Sequence, residues 1–343
     1  MYKLSKILSL ILAGISDPYK YLENSTHAGK YFFNKGIIKR SLEGLGITVT
    51  ACLGIKLVYW MIKNTIKFFP RTNILARYGQ GSWAVVTGAN NPLSQAFSIQ
   101  LATAGFHLVL VDKNLEELQP LANQLKTLNP KIQTKIIVTD FAQSLNDGYY
   151  HQIYGQIENL DISILVNNVN IEVVGEFGET QDPAIKNMIL LNTIPIVIMT
   201  RMLIKKLKER TINNKTPKKS AIINVSSNSA NNITSNMACF SATKAFVDFF
   251  SRGLAVEYPN LDIISLRPPV SKSHNEVFEG LESSMNCAKA CLNQLGKTSY
   301  TSGHLGYELR NWWANLAINN FFSSSSSLDH IETTIQFKKD DVI

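Results

Sequence analysis

The sequence predicts an α/β fold, a doubly wound parallel sheet covered on both faces, with a hydrophobic, amphipathic helical extension at its N-terminus. Three observations predict it. From Trp83 onward, short apolar runs recur without polar alternation, the pattern of strands buried on both faces. Helical stretches separate them, which is the order of parallel strands joined by crossover helices. The first run ends in a glycine turn that leads straight into a helix, as at a ligand-binding crevice.

The extension comes first. MYKLSKILSLILAGISDP places two lysines before an apolar run at residues 7–15, like a signal or transit segment. We expect a retained helix that lies on or in a membrane, or against a partner. Residues 44–62, GLGITVTACLGIKLVYWMI, are apolar except for Lys56. That length just suffices to span a bilayer, but a mid-helix lysine costs roughly 2.5–3.5 kcal/mol. Lys56, Lys63 and Lys67 stack along one face with Trp60 near them. An interfacial or protein-docked helix explains that stripe without burying charge; a span and an ordinary soluble helix are the alternatives. Pro70 ends the region.

The strands and helices then alternate. WAVVTGA is the first strand and its turn, SQAFSIQLATAG a helix closed by Gly105, and FHLVLVD the second strand. IIVTDF, ISILVNN, AIINVSS and DIISLRP continue the series, with helices at 114–128, 145–159, 182–209 and 240–257. The expected organisation is a basic helical anchoring segment at 1–79, the α/β domain at 80–315, and a polar tail at 316–343 containing five consecutive serines.

Charge is uneven. Residues 1–82 carry twelve Lys or Arg against Asp17, Glu23 and Glu43, a net +9, so the rest carries −1 of the total +8. Such a basic arm meets something acidic, lipid or protein. No nucleic-acid motif is present, which excludes that class of partner. Four cysteines make no disulfide framework in a chain this long, and Cys287 and Cys291 read as small buried hydrophobes on one helix face. Six scattered histidines show no ligand spacing, so no metal is expected.

The turn AVVTGANNPLSQAF is where a dinucleotide pyrophosphate would rest on a helix N-terminus. It resembles the TGxxxGxG turn of the short-chain dehydrogenase/reductase family, a Rossmann-type fold. Thr87 and Gly88 match; Pro92 and Ser94 stand at the second and third glycines. Pro92 suits the first helical position but brings a ring and no N–H to the phosphates.

The resemblance covers most of 80–310 and implies a site. Asp112 falls where the family reads the adenosine ribose, an acid there favouring NAD over NADP. Asp140 matches an acidic contact near the adenine. LVNNVN resembles the NNAG motif, with Asn167 in the cofactor set and Asn170 in place of its glycine. Asn192, Ser227 and Lys244 match three catalytic positions. The fourth falls on Phe240, which has no hydroxyl where the family's tyrosine protonates the substrate oxygen. Pro269 stands for the glycine of a PG stretch.

Within the family, the chain looks most like the membrane-bound branch of hydroxysteroid dehydrogenases and very-long-chain 3-ketoacyl-CoA reductases. YGQGSWAVVTGA, FSATKAFVDFFS and LGKTSYTSG carry that likeness. An inactive, mitochondrial hydroxysteroid dehydrogenase-like subgroup also has Phe in place of the tyrosine.

These departures lead to an expectation of a non-catalytic structural or accessory subunit of a membrane-associated, mitochondrial complex, with no cofactor, or NAD(H) if any. Residues 1–75 would meet the membrane or a membrane complex. Helices 183–209 and 240–257 would meet a protein partner or a second copy. The alternatives are a weakly active NAD(H)-dependent oxidoreductase on a steroid or 3-ketoacyl-CoA, which the reductase branch places at the endoplasmic reticulum, and an NAD(H)-binding sensor.

Overall fold

The computed structural model describes residues 35–68, 73–212, 218–231, 235–268, 281–303 and 306. The expectations at residues 1–34, at Pro269 and over the tail 316–343 lie outside them. The chain divides into two units, residues 1–65 and 66–343.

The helix α1 (Lys35–Phe68) carries the apolar run Gly46–Ile62. Ile47, Ile55 and Tyr59 on it are exposed, and so is Lys56. The hydroxyls of Thr48 and Thr50 donate back to the carbonyls of Gly44 and Gly46, which keeps these polar groups satisfied within the helix.

The α/β unit is built around a seven-stranded, all-parallel sheet among the described residues, in the order β3-β2-β1-β4-β5-β6-β7. Its strands are β1 (Trp83–Thr87), β2 (His107–Asp112), β3 (Thr134–Val138), β4 (Ile162–Asn167), β5 (Ala221–Val225), β6 (Asp262–Leu266) and the short β7 (Tyr300–Thr301). Its helices are α2 (Ile74–Tyr78), α3 (Pro92–Ala104), α4 (Leu115–Leu128), α5 (Tyr149–Ile157), α6 (Asp182–Ile212), α7 (Ala238–Glu257) and α8 (Leu281–Gln294).

Alternate strand residues feed two cores, because side chains alternate across a sheet. Ala84, Val86, Leu108, Leu110, Ile164 and Val166 pack against α3, α4 and α8. Val85, Val109, Leu165 and Ile222 pack against α5 and α6. Cys287 and Cys291 lie in the first core as the sequence suggests; burial pushes the Cys287 thiol up to about 12. Among the described residues α6 is long and apolar enough to cross a membrane, but it lays Met199, Leu203 and Leu207 on the sheet and is a core helix.

This unit begins before residue 80. Asn73 caps α2, Tyr78 is fully buried, and the Arg77 guanidinium and the Tyr78 hydroxyl both donate to Asp262 on β6 at 2.6 and 2.7 Å. Residues 74–79, grouped with the arm by composition, thus hold the sheet's far strand. The strand order reverses beside β1, so the crevice for a ligand opens at the carboxyl ends of β1, β2 and β4.

Candidate active site

The turn between β1 and α3 is where sequence and structure meet. Gly88 has φ +63°, and a Cβ there would collide with the Asn168 carbonyl after β4. Only glycine allows this approach. Asn91 caps α3 by accepting the Leu93 N–H at 3.0 Å, and Pro92 takes the first helical position. Ser94 is fully buried: its hydroxyl donates to the Thr87 carbonyl at 3.3 Å and accepts from the Asn168 amide at 2.8 Å. The side chain that replaces a glycine has therefore become a tie between the turn and β4. Asn168 also donates its backbone N–H to Thr87 Oγ1.

The proposed cofactor positions divide. Asp112, at the end of β2, accepts the Asn90 N–H at 3.0 Å and the Lys113 N–H at 2.7 Å, so its carboxylate already braces the crevice floor. Asp140 caps a short 3-10 turn by accepting the Ala142 N–H. Asn167 points into the protein: its amide donates to Thr200 on α6 and to Asn224 on β5. The neighbouring Asn168 is the residue at the turn, a role the sequence reading missed and the adjacent Ser94 could have signalled.

Around the catalytic positions, α7 brings Phe240 and Lys244 to the carboxyl end of β5. Lys244 is 1% exposed, and its ammonium donates to the Val225 carbonyl at 3.2 Å and stands 5.5 Å from the Phe240 ring centroid. Burial pulls it down to about 7, and the charge of Glu172 pushes back. Phe240 packs with Met188 and Met237. Asn192 accepts the Ile171 N–H at 2.8 Å and donates to the Ile171 carbonyl and to Thr243 Oγ1, both at 3.0 Å. It pins the segment after β4 to α7. Ser227, after β5, accepts from the Ser229 N–H and hydroxyl. Thr243 and Glu172 belong to this group as well and carried no motif of their own.

The buried lysine has a cost that can be read. Its folded value lies below the unfolded value, so between about pH 7 and 10 the unfolded chain binds more protons and stability rises with pH. Lys244→Met should flatten that rise and stabilise the fold at pH 7; urea midpoints across this range check it.

The groups that a dinucleotide would meet stand at the two ends of the crevice. Asn90 Oδ1, buried in the turn beside Asp112, has no hydrogen-bond partner among the described residues. Lys244 and Asn192 stand at the other end. The phosphate turn between them is poorer in donors, because Pro92 has no N–H and Asn91 holds that of Leu93.

A family model described as "short chain dehydrogenase" matches residues 82–276. The chain is 31% identical to very-long-chain 3-oxoacyl-CoA reductase-B of Danio rerio over 266 residues, covering 74% of this chain and 82% of the relative. It is 33% identical to 17-beta-hydroxysteroid dehydrogenase type 3 of Mus musculus, over 57% of this chain and 63% of that protein. A short-chain dehydrogenase from Sphingobium yanoikuyae, solved in complex with NADPH, shares the fold at a TM-score of 0.57 and 19% identity, covering 72% of this chain and 99% of that one. These relatives overturn the expectation of a non-catalytic accessory subunit: proteins named for reductase and dehydrogenase activity match the chain through its sheet and site. The narrower likeness to an inactive, Phe-bearing subgroup finds no support in them.

Proposed function

The chain belongs to the short chain dehydrogenase family, and from that membership we propose that it is a slow oxidoreductase that interconverts a ketone and an alcohol on a lipid-like substrate, a 3-oxoacyl thioester or a steroid. The observation that carries this reading is Lys244. A buried ammonium with a single carbonyl partner opposes folding, and a methionine would serve the packing better. Its retention beside Ser227 and Asn192 is what a working site requires.

A nicotinamide dinucleotide would supply the hydride when bound. Asp112 and Asn90 would hold its adenosine ribose, Asp112 favouring NAD(H) over its phosphorylated form, and Lys244 the nicotinamide ribose. Asp140 would stand near the adenine. Ser227 keeps a hydroxyl hydrogen free to orient a substrate carbonyl, since the bonds at its oxygen run inward from Ser229. Asn192 keeps the segment after β4 in place, and Phe240, Met188 and Met237 form an apolar wall suited to an acyl chain or sterol.

The test is direct. The full chain, purified in detergent, is assayed with NADH and NADPH against a 3-oxoacyl-CoA and ketosteroids. We expect slow NADH oxidation, below the usual 1–10³ s⁻¹. Dinucleotide binding without turnover would favour the sensor reading instead. Asp112→Ala should weaken NADH about tenfold through loss of a charged hydrogen-bond acceptor, measured by fluorescence titration.

Two further assignments go with this reading. The basic, apolar α1 would tether the enzyme to a membrane; the likeness to very-long-chain 3-oxoacyl-CoA reductases supports the endoplasmic reticulum, and the mitochondrial expectation has no support. Phe249 and Val256 on α7, 74% and 83% exposed, offer an apolar face for a second copy.

A further inference from the structure

Resting on the reductase reading above, we propose that Lys244 is itself the general acid of this site and gives the substrate oxygen the proton for which residue 240 has no group.

Ketone reduction needs one proton at oxygen, and the structure narrows its source. Phe240 carries no exchangeable hydrogen. Thr243 donates its hydroxyl to the Phe240 carbonyl at 2.7 Å. The amide hydrogens of Asn192 go to Ile171 and Thr243. Ser226 donates its hydroxyl to the Lys244 carbonyl at 2.7 Å. Among the described residues Ser227 and the buried Ser241 keep hydroxyl hydrogens without a partner, but a serine hydroxyl is too weak an acid to give one up near neutral pH. Lys244 has three N–H bonds, and the bond to the Val225 carbonyl uses one. It is also the group next to the phenyl ring, 5.5 Å from its centroid.

The surroundings make this ammonium a usable acid. An ordinary lysine holds its proton too tightly to give it up at pH 7. Here burial against the Phe240 ring and the end of β5 weakens that hold until loading and unloading balance near neutrality. The charged group that acts on it is Glu172, from the segment after β4, which favours the loaded form. From β5 it meets a carbonyl, and on α6 the neutral Asn192 bonds Thr243, the residue before it. In the step, one Nζ–H bond breaks and one O–H bond forms. The electron pair stays on nitrogen as a neutral amine. A bound reduced nicotinamide dinucleotide would supply the hydride that reduces the carbon, itself becoming oxidised, and a solvent proton reloads the amine.

The experiment uses the full chain with NADH and a 3-oxoacyl-CoA. The wild-type kcat should fall as pH rises through about 7, because the donor must be loaded. Lys244→Arg keeps the cation but cannot release its proton, so kcat should fall about 10²-fold or more while NADH affinity, read by fluorescence, stays within a few-fold. Lys244→Met should lose kcat as well. Independently of turnover, the 13C signal of the Lys244 ε-methylene should titrate near neutrality in the resting protein and be missing from Lys244→Arg. Lys244→Arg at the wild-type rate, or a loss confined to NADH affinity, overturns the acid and leaves the reductase reading intact. So does an ε-methylene that titrates only at ordinary lysine pH. Absence of wild-type turnover overturns both.

Discussion

Phe240→Tyr should raise kcat for ketone reduction by about 10²-fold and move the alkaline limb of its pH profile upward from about 7. The ring sits beside the Lys244 ammonium, and a phenol placed next to a cation is a stronger acid than one in water. A positioned general acid is worth about 10²–10⁴-fold over none; the lower figure applies because Lys244 already supplies a proton and Pro92 supplies no N–H to the phosphate turn. The limb moves because a tyrosine, ordinarily near pH 10, stays protonated where the lysine has unloaded. The hydroxyl enters a cluster of Met188 and Met237, and left unpaired it would cost about 1–3 kcal/mol. Lys244 is the partner that offsets this. Steady-state kinetics between pH 6 and 9, with melting temperatures for both proteins, checks the prediction. An unchanged rate with an unchanged limb would mean that the ring is wall only.

Asp248→Ala should be the most damaging single change to the fold, costing about 3 kcal/mol. Asp248 lies one helical turn beyond Lys244 and is buried. It accepts from Arg267 Nε at 2.6 Å and Nη2 at 2.8 Å, and from the Ser265 hydroxyl at 2.7 Å. Arg267 is itself largely buried and lies over the Tyr300 ring. Removing the carboxylate leaves that guanidinium and hydroxyl without their partner, and α7 loses its bond to the end of β6. The outer pair with Arg252 is half exposed and contributes little. Burial alone would push this carboxyl up. The hydrogen bonds from Arg267 and Ser265, with the charges of Arg267 and Arg252, outweigh it and hold the carboxyl below its usual range. Its stabilisation is therefore complete above the unfolded value of about 3.9 and is lost as pH falls through the lower folded value. Urea denaturation of wild type and Asp248→Ala should show the gap at pH 7 and its closing in acid. Asp248→Asn, which keeps the shape, should lose less.

The strands were legible because burial on both faces leaves an unbroken apolar run. All six runs quoted from the sequence became strands, and the five helices named between them formed within a few residues of their expected ends. β7 was not legible, since two residues carry no periodicity. The glycine turn was readable from Gly88, whose positive φ and close neighbour leave no room for another residue.

Residue chemistry alone misjudged the departures from the family pattern. Ser94 looked like damage to a tight turn; the fold hands its hydroxyl two partners. Asn167 looked like a cofactor contact and faces Thr200 and Asn224 instead, because adjacent residues at a strand end point to opposite sides.

Local order thus dictated the strands, the helices, the basic arm and the absence of a hydroxyl at residue 240. Folding alone set what the remaining groups do. Lys244 is an ordinary lysine in the sequence; its altered acidity comes from its burial beside β5 and the Phe240 ring, which removes the water that would stabilise its charge. Glu172 and Val225 come from separate stretches of chain, and no spacing rule could have brought them to one ammonium.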